Sequence, residues 1–551
     1  MGKKIVIVGG VAGGASAAAR LRRLDEQAEI IIFERGEHIS YANCGLPYYV
    51  GGVIAKRDDL LVQTPEGMIK RFQVDVRTNS EVTRIFPREK TVEVQELNGK
   101  TYIETYDVLI LSPGAAPVRP PIPGLDSIES FSVRNVADID RIKKYIDEHQ
   151  PPSAVVIGGG FIGLEMAENL HARGVETIIV EMSNQVMAPL DFEMASILHE
   201  HIAKKGVDLI LEDGVKSFVK KEDTTVVVLN SGEEIEADLV ILAIGVKPET
   251  KLAQEAGLAI GSLGGIKVNE RLQTSNENIY AIGDAIEVKN YVTGQPALIP
   301  LAGPANRQGR IVADIIAGRN NQYGGTLGTS IVKVFDMAAA STGANEKTLR
   351  KLGIPYEVSY THSGSNAGYY PGAKRLSIKL IFDKNTGRIF GAQIIGVQGV
   401  DKRIDVIAGA IRRHDTVFDL QELELAYAPP FSSAKDPVNI AGYVAGNIIN
   451  GNVQIIHWHE LEEIKSSPDL VMVDVRTAKE RKGKFIPGSL HIPIDELRSR
   501  LDELPKDKDI VIYCEIGLRG YLAYRILTQQ GFTRVKNLSG GWLTYYPGVY
   551  G

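Results

Sequence analysis

Cysteine is nearly absent from this chain: 551 residues hold two, Cys44 and Cys514. That excludes a disulfide framework and a CxxC metal or dithiol centre, and a reducing cytoplasm is the expected setting. Long apolar runs are missing as well. The run inside "MGKKIVIVGGVAGG" breaks into glycines after about five residues, too short for a signal or membrane segment, and reads as a first β-strand. There is no excess of basic charge: the formal net charge is -6, with 24% charged and 44% hydrophobic residues, so no general field for nucleic acid exists and anion recognition must be local. Low-complexity segments and charge blocks are absent. His457 and His459 stand two apart without a third ligand, and no metal is expected.

What is present is a repeated pattern. "KKIVIVGGVAGGASAAARL" and "SAVVIGGGFIGLEMAENL" each join a β-branched run, a glycine turn and an Ala-, Leu- or Glu-rich helix, the opening of a dinucleotide-binding βαβ unit. Each continues into a buried-type strand ending in an acid, Glu34 in "AEIIIFER" and Glu181 in "VETIIVEM". Two nucleotides are implied. A chain of this length divides into three or four domains. The expected division is an α/β fold with a discontinuous first nucleotide domain (1–117 and 249–322), a second inserted in it (118–248), an α+β domain (323–449) and a compact terminal α/β unit (455–551).

A strand, glycine turn and helix bind pyrophosphate because backbone N–H groups and the helix N-terminus face the anion, while glycines permit close approach. Gly158, Gly160 and Gly163 form a complete G-x-G-x-x-G, followed by Glu165 and then Glu181. The first copy, Gly9, Gly10, Val11, Ala12, Gly13 and Gly14, puts valine where the central glycine belongs; Glu34, placed to accept from ribose hydroxyls, supports the assignment.

Together with "LSPGA", "LAIGVKP" and "YAIGDA", the duplicated fold resembles the two-dinucleotide flavoprotein disulfide reductases over roughly residues 1 to 450. The resemblance implies FAD in the first domain, with Asp284 on the ribityl chain, and a nicotinamide nucleotide in the second. Arg35, Asn43, Gly114, Gly245 and Ala302 complete the implied cofactor contacts. Glu181 would bond a free ribose and repel a 2′-phosphate, so NADH is expected, with NADPH the alternative.

Cys44, in "ISYANCGLPYYV", falls where that superfamily sets its redox cysteines. Pro47 suits a first helical turn, which predicts Cys44 at or just before a helix N-terminus, where a thiolate is stabilised. The usual C-x4-C partner position is Tyr49, and no C-terminal His-Glu pair is found. A lone redox cysteine must either become a sulfenic acid or hold its partner sulfur as a mixed disulfide. The sulfenic branch, similar to NADH peroxidases and oxidases, shows a histidine where Ala12 stands. "YANCGLPYY", "AGYYPGAK" and "YAPPFSSAKDPVN" resemble the coenzyme A disulfide reductases. That resemblance implies a homodimer in which Tyr369, preferred over Tyr370, and Tyr427 reach the opposing subunit's thiol centre and supply a proton in place of histidine. It places coenzyme A near Ser16, Arg20, Arg23, Ser40 and Asn43, with Lys70, Arg71, Asn306 and Lys435 further out. Arg20 and Arg23, at i and i+3, share a helix face suited to phosphate.

Cys514 follows an apolar strand and precedes a helix in "IVIYCEIGLRGYLAYRIL", again a geometry that gathers N–H groups around an anion. The loop from Cys514 to Arg519, "VDVRTAKERKGKFIPGSLHIPI" before it and "LSGGW" after it resemble the rhodanese family over residues 455 to 550. A loop of that length suits a cysteine persulfide, with Arg519 stabilising its charge. Glu515 is expected to place a negative charge in the cradle and disfavour thiosulfate. The combination implies NADH-dependent reduction of coenzyme A persulfide or polysulfide through Cys44, with sulfane sulfur carried on Cys514. Rival readings are coenzyme A disulfide reduction for thiol homeostasis, a sulfur carrier without reductase turnover, and a sulfenic-acid peroxidase, against which Ala12 argues.

Overall fold

The computed structural model describes residues 2–222 and 224–551. They form two compact units: one reaching to Ser183 and resuming over Val207–Gly328, the other combining Asn184–Gly206 with Thr329–Gly551.

The first unit is built on two five-stranded parallel sheets. In one, the strands run in the order Ile279–Ala281, Val108–Leu111, Lys4–Val8, Glu29–Phe33 and Asp75–Arg77. Ile5 to Val8 and Ile30 to Phe33 are buried without alternation, as strands covered on both faces must be. The register pairs Val8 with Phe33 and with Leu111, and Leu111 with Ala281. Gly9, Glu34, Ser112 and Ile282 therefore emerge side by side at the carboxyl edge, where open α/β sheets bind ligands. The second sheet runs Asp208–Ile210, Glu176–Val180, Ser153–Ile157, Leu239–Leu242 and Ser130–Ser132. It pairs Ile157 with Val180 and Leu242, which delivers Gly158, Glu181 and Ala243 to one edge in the same way. Each parallel sheet is accompanied by a three-stranded antiparallel one, Ser80–Phe86 to Thr101–Thr105 and Val215–Lys220 to Glu234–Ala237. Helix Ala302–Ile316 packs on helix Ala12–Leu24 so closely that a Cβ on Gly309 would lie 2.5 Å from the Gly13 carbonyl oxygen.

The second unit contains an antiparallel sheet in the order Ser330–Val334, Met337–Gly343, Ile389–Gly396, Arg375–Phe382 and Glu357–Gly364. Lys379, in "RLSIKLIFD", is wholly buried there. Its ammonium group lies 2.5 Å from Glu193, 2.9 Å from Asp191 and in contact with Glu346. Burial would lower the Lys379 pKa, but the three carboxylates and the Tyr360 ring beside it win, and the net direction is up. Desolvating a charge is tolerable only when it is paired in this way. Helix Phe192–Lys204 is thereby fastened to the sheet.

A terminal five-stranded parallel sheet completes this unit, in the order Ile455–Ile456, Val535–Leu538, Asp509–Tyr513, Leu470–Asp474 and Leu490–His491. Buried and partly buried polar contacts fix it to the antiparallel sheet. His362 Nδ1 is 2.8 Å from Ser377 Oγ, its Nε2 is 2.9 Å from Thr544 Oγ1, and His457 Nε2 is 2.9 Å from Glu357. Burial pushes His362 down to about 3, so the ring is neutral and bonds hydroxyls on both sides.

Candidate functional site

Both glycine turns are stapled by the acid at the end of the neighbouring strand. Glu34 accepts from the N–H groups of Gly10 and Gly36, each at 2.9 Å. Glu181 accepts from Gly159 N–H at 2.7 Å and from the Ser183 N–H and hydroxyl at 2.9 and 2.8 Å. The outer glycines are required. Gly9 and Gly158 have φ of +97° and +108°, and a Cβ on Gly14 or Gly163 would lie 1.9 Å from the carbonyl oxygen of Gly9 or Gly158. The central position is different. Gly160 (φ −80°) and Val11 (φ −92°) are both helix N-caps with negative φ, and a Cβ on Gly160 meets nothing within 4 Å. The central position of the turn therefore does not need the left-handed backbone that favours glycine. Ala12 and Gly13 open helix Ala12–Leu24, and Gly13 leaves room for the Ser112 hydroxyl, which a Cβ would approach to 2.9 Å.

Asp284 sits in the one-turn helix Gly283–Ala285, just past strand Ile279–Ala281. Burial alone raises its pKa to about 6. A carboxyl group held in this way is matched by hydroxyl donors, and the glycine turn beside it by an anion, so these residues fit a flavin nucleotide. Gly114 (φ +77°) and Gly245 (φ +105°) turn with open space over each. Ala302 is exposed at a helix start, with Asn306 one turn on, where it accepts from the Ser16 hydroxyl at 2.5 Å. Arg35 is ion-paired with Glu249 at 2.6 Å.

Cys44 is exposed and lies in the short turn Asn43–Gly45, whose last residue caps helix Leu46–Val50, with Pro47 in its first turn. Ser40, at φ +47°, donates its N–H to Gly10 O at 2.9 Å, which ties this segment to the first glycine turn. Placement just before a helix follows the sequence expectation, but the expected thiolate stabilisation does not. Partial burial pushes the Cys44 thiol up, and the Glu165 and Asp284 carboxylates push it further. The helix is five residues long and its dipole is weak, so burial, with the two carboxylates adding to it, sets the direction. Glu165, one turn into helix Phe161–Ala172, accepts from the Tyr48 hydroxyl at 3.1 Å and is itself raised to about 7 by burial and by Glu168. This pairing of Tyr48 with Glu165 had no signal in the sequence, since the two residues are 117 positions apart.

The outer substrate residues divide. Arg20 does not offer its guanidinium beside Arg23: it forms an ion pair with Asp314 on helix Ala302–Ile316, with Nε at 2.9 Å and Nη2 at 2.7 Å. Arg23 is exposed, as are Lys70 and Arg71 in the last turn of helix Pro65–Phe72, Asn43, and Lys435 in the second unit. Also in the second unit, Tyr369 and Tyr427 are brought together, hydroxyl to hydroxyl at 2.8 Å. Tyr369 is 77% exposed and Phe431 stands 71% exposed nearby in sequence. The bond to Tyr369 raises the Tyr427 pKa.

Cys514 is buried at the carboxyl end of strand Asp509–Tyr513, in a loop that closes onto helix Leu518–Gln529. The Gly517 N–H points at its sulfur, 3.2 Å away, from a residue at φ +93° that favours glycine. The Trp542 N–H donates to Cys514 O at 2.8 Å, and a Cβ on Gly541 would lie 2.4 Å from that oxygen, which accounts for glycine in "LSGGW". Arg519 makes a bidentate pair with Glu480 at 2.6 and 2.8 Å and also has Cys514 in its field. The pairing with Arg519 holds Glu480 down at about 2. Glu480 also forms a capping box with Thr477, a T-x-x-E signature readable in "RTAKE". Glu515 corrects the expectation of a bare negative charge: it faces Arg476 at 3.2 Å, a buried guanidinium that also grips Asp474 and lies under Trp542.

Among the described residues one acidic cluster, Asp191, Glu193 and Glu346, brings three carboxylates within ion-binding distance, and the Lys379 ammonium already fills it. No helix among the described residues is long and apolar enough to cross a membrane.

Known proteins align with this geometry along nearly the whole chain. The pyridine nucleotide-disulphide oxidoreductase family matches residues 3–309, its dimerisation domain residues 329–437 and the rhodanese-like domain residues 457–546. A coenzyme A disulfide reductase of Staphylococcus haemolyticus is 38% identical over 449 residues, 81% of this chain and 100% of that protein. Reduced CoADR-RHD of Bacillus anthracis superimposes with a TM-score of 0.97 at 57% identity, covering 99% of this chain and 98% of that one. An NAD-dependent persulfide reductase from A. fulgidus superimposes at 0.92 with 40% identity, covering 98% and 100%. With paired nucleotide turns, a lone thiol after the first of them and a second thiol in a strand–loop–helix turn, the chain belongs to the flavin-type pyridine nucleotide-disulphide oxidoreductases and carries a rhodanese-like domain over residues 457–546.

Proposed function

We propose that the protein is a homodimeric, NADH-dependent reductase of coenzyme A persulfide and polysulfide that releases hydrosulfide. The observation that carries this reading is the separation of two thiols by chemistry: Cys44 is exposed next to a flavin-type glycine turn without a partner cysteine, and Cys514 is buried under a backbone N–H in a rhodanese loop. A single thiol with no protein partner that does not pass through a sulfenic acid takes its second sulfur from the substrate. The names of the relatives, coenzyme A disulfide reductase and persulfide reductase, agree with that requirement.

In this reading Cys44 thiolate attacks the inner sulfur of coenzyme A persulfide. A Cys44–coenzyme A disulfide forms, the terminal S–S bond breaks, and its electron pair leaves on hydrosulfide. The two electrons that reopen the mixed disulfide are the chemistry that bound FAD and NADH supply. Gly9 to Gly14, Glu34 and Asp284 would hold the flavin nucleotide, and Gly158 to Gly163 with Glu181 the nicotinamide nucleotide. Glu165, raised to about 7 beside Tyr48, is placed to exchange a proton near Cys44 at neutral pH. The hydrogen-bonded hydroxyls of Tyr369 and Tyr427 form an exposed acid pair for the departing thiolate of a partner subunit's site.

Coenzyme A disulfide would form the same mixed disulfide, and the Staphylococcus relative's name favours it as a second substrate. Steady-state NADH oxidation with coenzyme A persulfide, polysulfide and coenzyme A disulfide separates the two readings. Persulfide and polysulfide are expected to turn over at least tenfold faster; disulfide turnover dominating by orders of magnitude would reverse the assignment.

A further inference from the structure

Arg519 closes the loop that begins at Cys514, and the sulfur lies in its field. Both of its terminal nitrogens are directed at one carboxylate outside the loop: Nη1 donates to Glu480 Oε2 at 2.8 Å and Nη2 to Oε1 at 2.6 Å. Glu480 is fixed in turn by Thr477, whose N–H and hydroxyl donate to Oε2 at 2.9 and 2.7 Å. Arg519 first, and then Thr477, hold this carboxyl at about 2, so it is ionised at neutral pH. A second guanidinium engaged with the loop is already matched as well. Arg476 donates to Glu515 at 3.2 Å and to the two oxygens of Asp474 at 3.0 and 2.9 Å. Lys479, Lys482 and Lys484, near Glu480 in sequence, are exposed, where water and salt screen their charge.

A doubly charged anion gains most from an unmatched guanidinium and loses most when a carboxylate stands behind it, because the interaction scales with the charge of the ligand. We propose that Glu480 is a specificity-determining residue of the Cys514 site: by occupying Arg519 it disfavours compact dianionic sulfur donors, the thiosulfate class, relative to donors that carry a single charge. The loop is thus biased against thiosulfate through Glu480 and not through Glu515, whose charge Arg476 cancels. The inference rests on the function proposed above only in taking Cys514 as a sulfur carrier. The loading step is the same for either class of donor. Cys514 thiolate attacks the outer sulfur and an S–S bond forms on Cys514. The donor's own S–S bond breaks, and its electron pair leaves on sulfite or on a sulfinate. One sulfur atom moves, and no outside oxidant or reductant is needed.

The test uses full-length Cys44→Ser protein, in which Cys514 is the remaining thiol, and two donors of matched shape. One is thiosulfate; the other is methanethiosulfonate, in which a methyl group replaces one charged oxygen. Loading is followed as sulfite or methanesulfinate released and as sulfane sulfur gained by Cys514. With Glu480 in place, half-saturation by thiosulfate is expected about tenfold or more above that by methanethiosulfonate. Glu480→Gln keeps an oxygen for Thr477 and the T-x-x-Q form of the capping box, and it releases Arg519. That variant should lower the thiosulfate value about tenfold and the methanethiosulfonate value about threefold, as half the charge implies, and added salt should shrink the difference. Glu480→Asp keeps the charge and should keep the discrimination. Equal half-saturation by the two donors with Glu480 in place, or an equal shift of both in Glu480→Gln, would overturn the proposal, as would Glu480→Asp behaving like Glu480→Gln. Failure of the carrier reading looks different, because Cys514 would then gain no sulfur from polysulfide either. Loading from polysulfide, with none from thiosulfate or methanethiosulfonate in any variant, would sink the role of Glu480 alone.

Discussion

At the scale of single residues, the surroundings of Cys44 set the terms of its chemistry. A free thiol near neutral pH is mostly protonated, and here burial and two carboxylates make ionisation harder still. In the proposed function, Cys44 depends on what binds beside it, the cofactor above all, to become a nucleophile. The contribution of Glu165 can be isolated, since Glu165→Gln removes a negative charge while keeping a group that accepts from Tyr48. In flavin-free protein the rate of alkylation of Cys44 by iodoacetamide should rise with pH around a midpoint above the usual cysteine value. In Glu165→Gln the midpoint should shift to lower pH, because the ionised carboxylate no longer opposes the thiolate. Glu165 itself titrates at about 7, so the difference between the two proteins should be small below that pH and fully developed above it. Superimposable profiles would mean that the carboxylate does not act on the thiol.

At the scale of elements, the two strand, turn and helix units show which parts of a glycine motif belong to the fold and which to the ligand. A methyl group at Gly163 would collide with the Gly158 carbonyl at 1.9 Å, whereas one at Gly160 would enter empty space. Gly163→Ala should therefore cost about 1–3 kcal/mol or more by overpacking. Gly160→Ala, at an ordinary φ, should leave stability unchanged or raise it by about 0.4–1 kcal/mol through the unfolded state, while raising the KM for NADH. Denaturant melts and NADH kinetics on the two variants check this; a destabilised Gly160→Ala would remove the distinction. The same contrast explains what was legible in the sequence. Strands, glycine turns and terminal acids are local patterns, and "IVIVGG" and "VVIGGG" announce them directly. The ion pair of Arg20 with Asp314 was not legible, because Asp314 lies 294 positions away on another helix and a helical i, i+3 pattern carries no information about what packs on it. Lys379 sits in a run that reads as a buried strand, yet nothing local names Asp191, Glu193 and Glu346 as the reason a lysine is tolerated there.

At the scale of the whole molecule, the chain carries two sulfur centres with different physical designs, and this difference yields the sharpest division of labour. Cys44 is exposed among carboxylates, which in the proposed function leaves it open to a bulky substrate; Cys514 is buried beside the Gly517 N–H and Arg519, itself anchored by Glu480, which in the proposed function would hold a small sulfur anion. "NCGLPYY" and "CEIGLRG" each announced a thiol in a turn, but the exposure that separates their roles depends on tertiary packing that no short segment encodes. Cys44→Ser should abolish NADH oxidation with preformed coenzyme A persulfide and leave sulfur loading of Cys514 intact. Cys514→Ser should leave the first rate within about twofold, while slowing hydrosulfide release from donors that require loading on the rhodanese loop by at least tenfold. Parallel measurement of NADH loss, hydrosulfide release and protein-bound sulfane sulfur on the two variants distinguishes these outcomes. If both substitutions abolished turnover of preformed coenzyme A persulfide equally, the second thiol would be a member of the reductive cycle itself, and the sequence of loading followed by reduction would have to be replaced by direct exchange between the two cysteines.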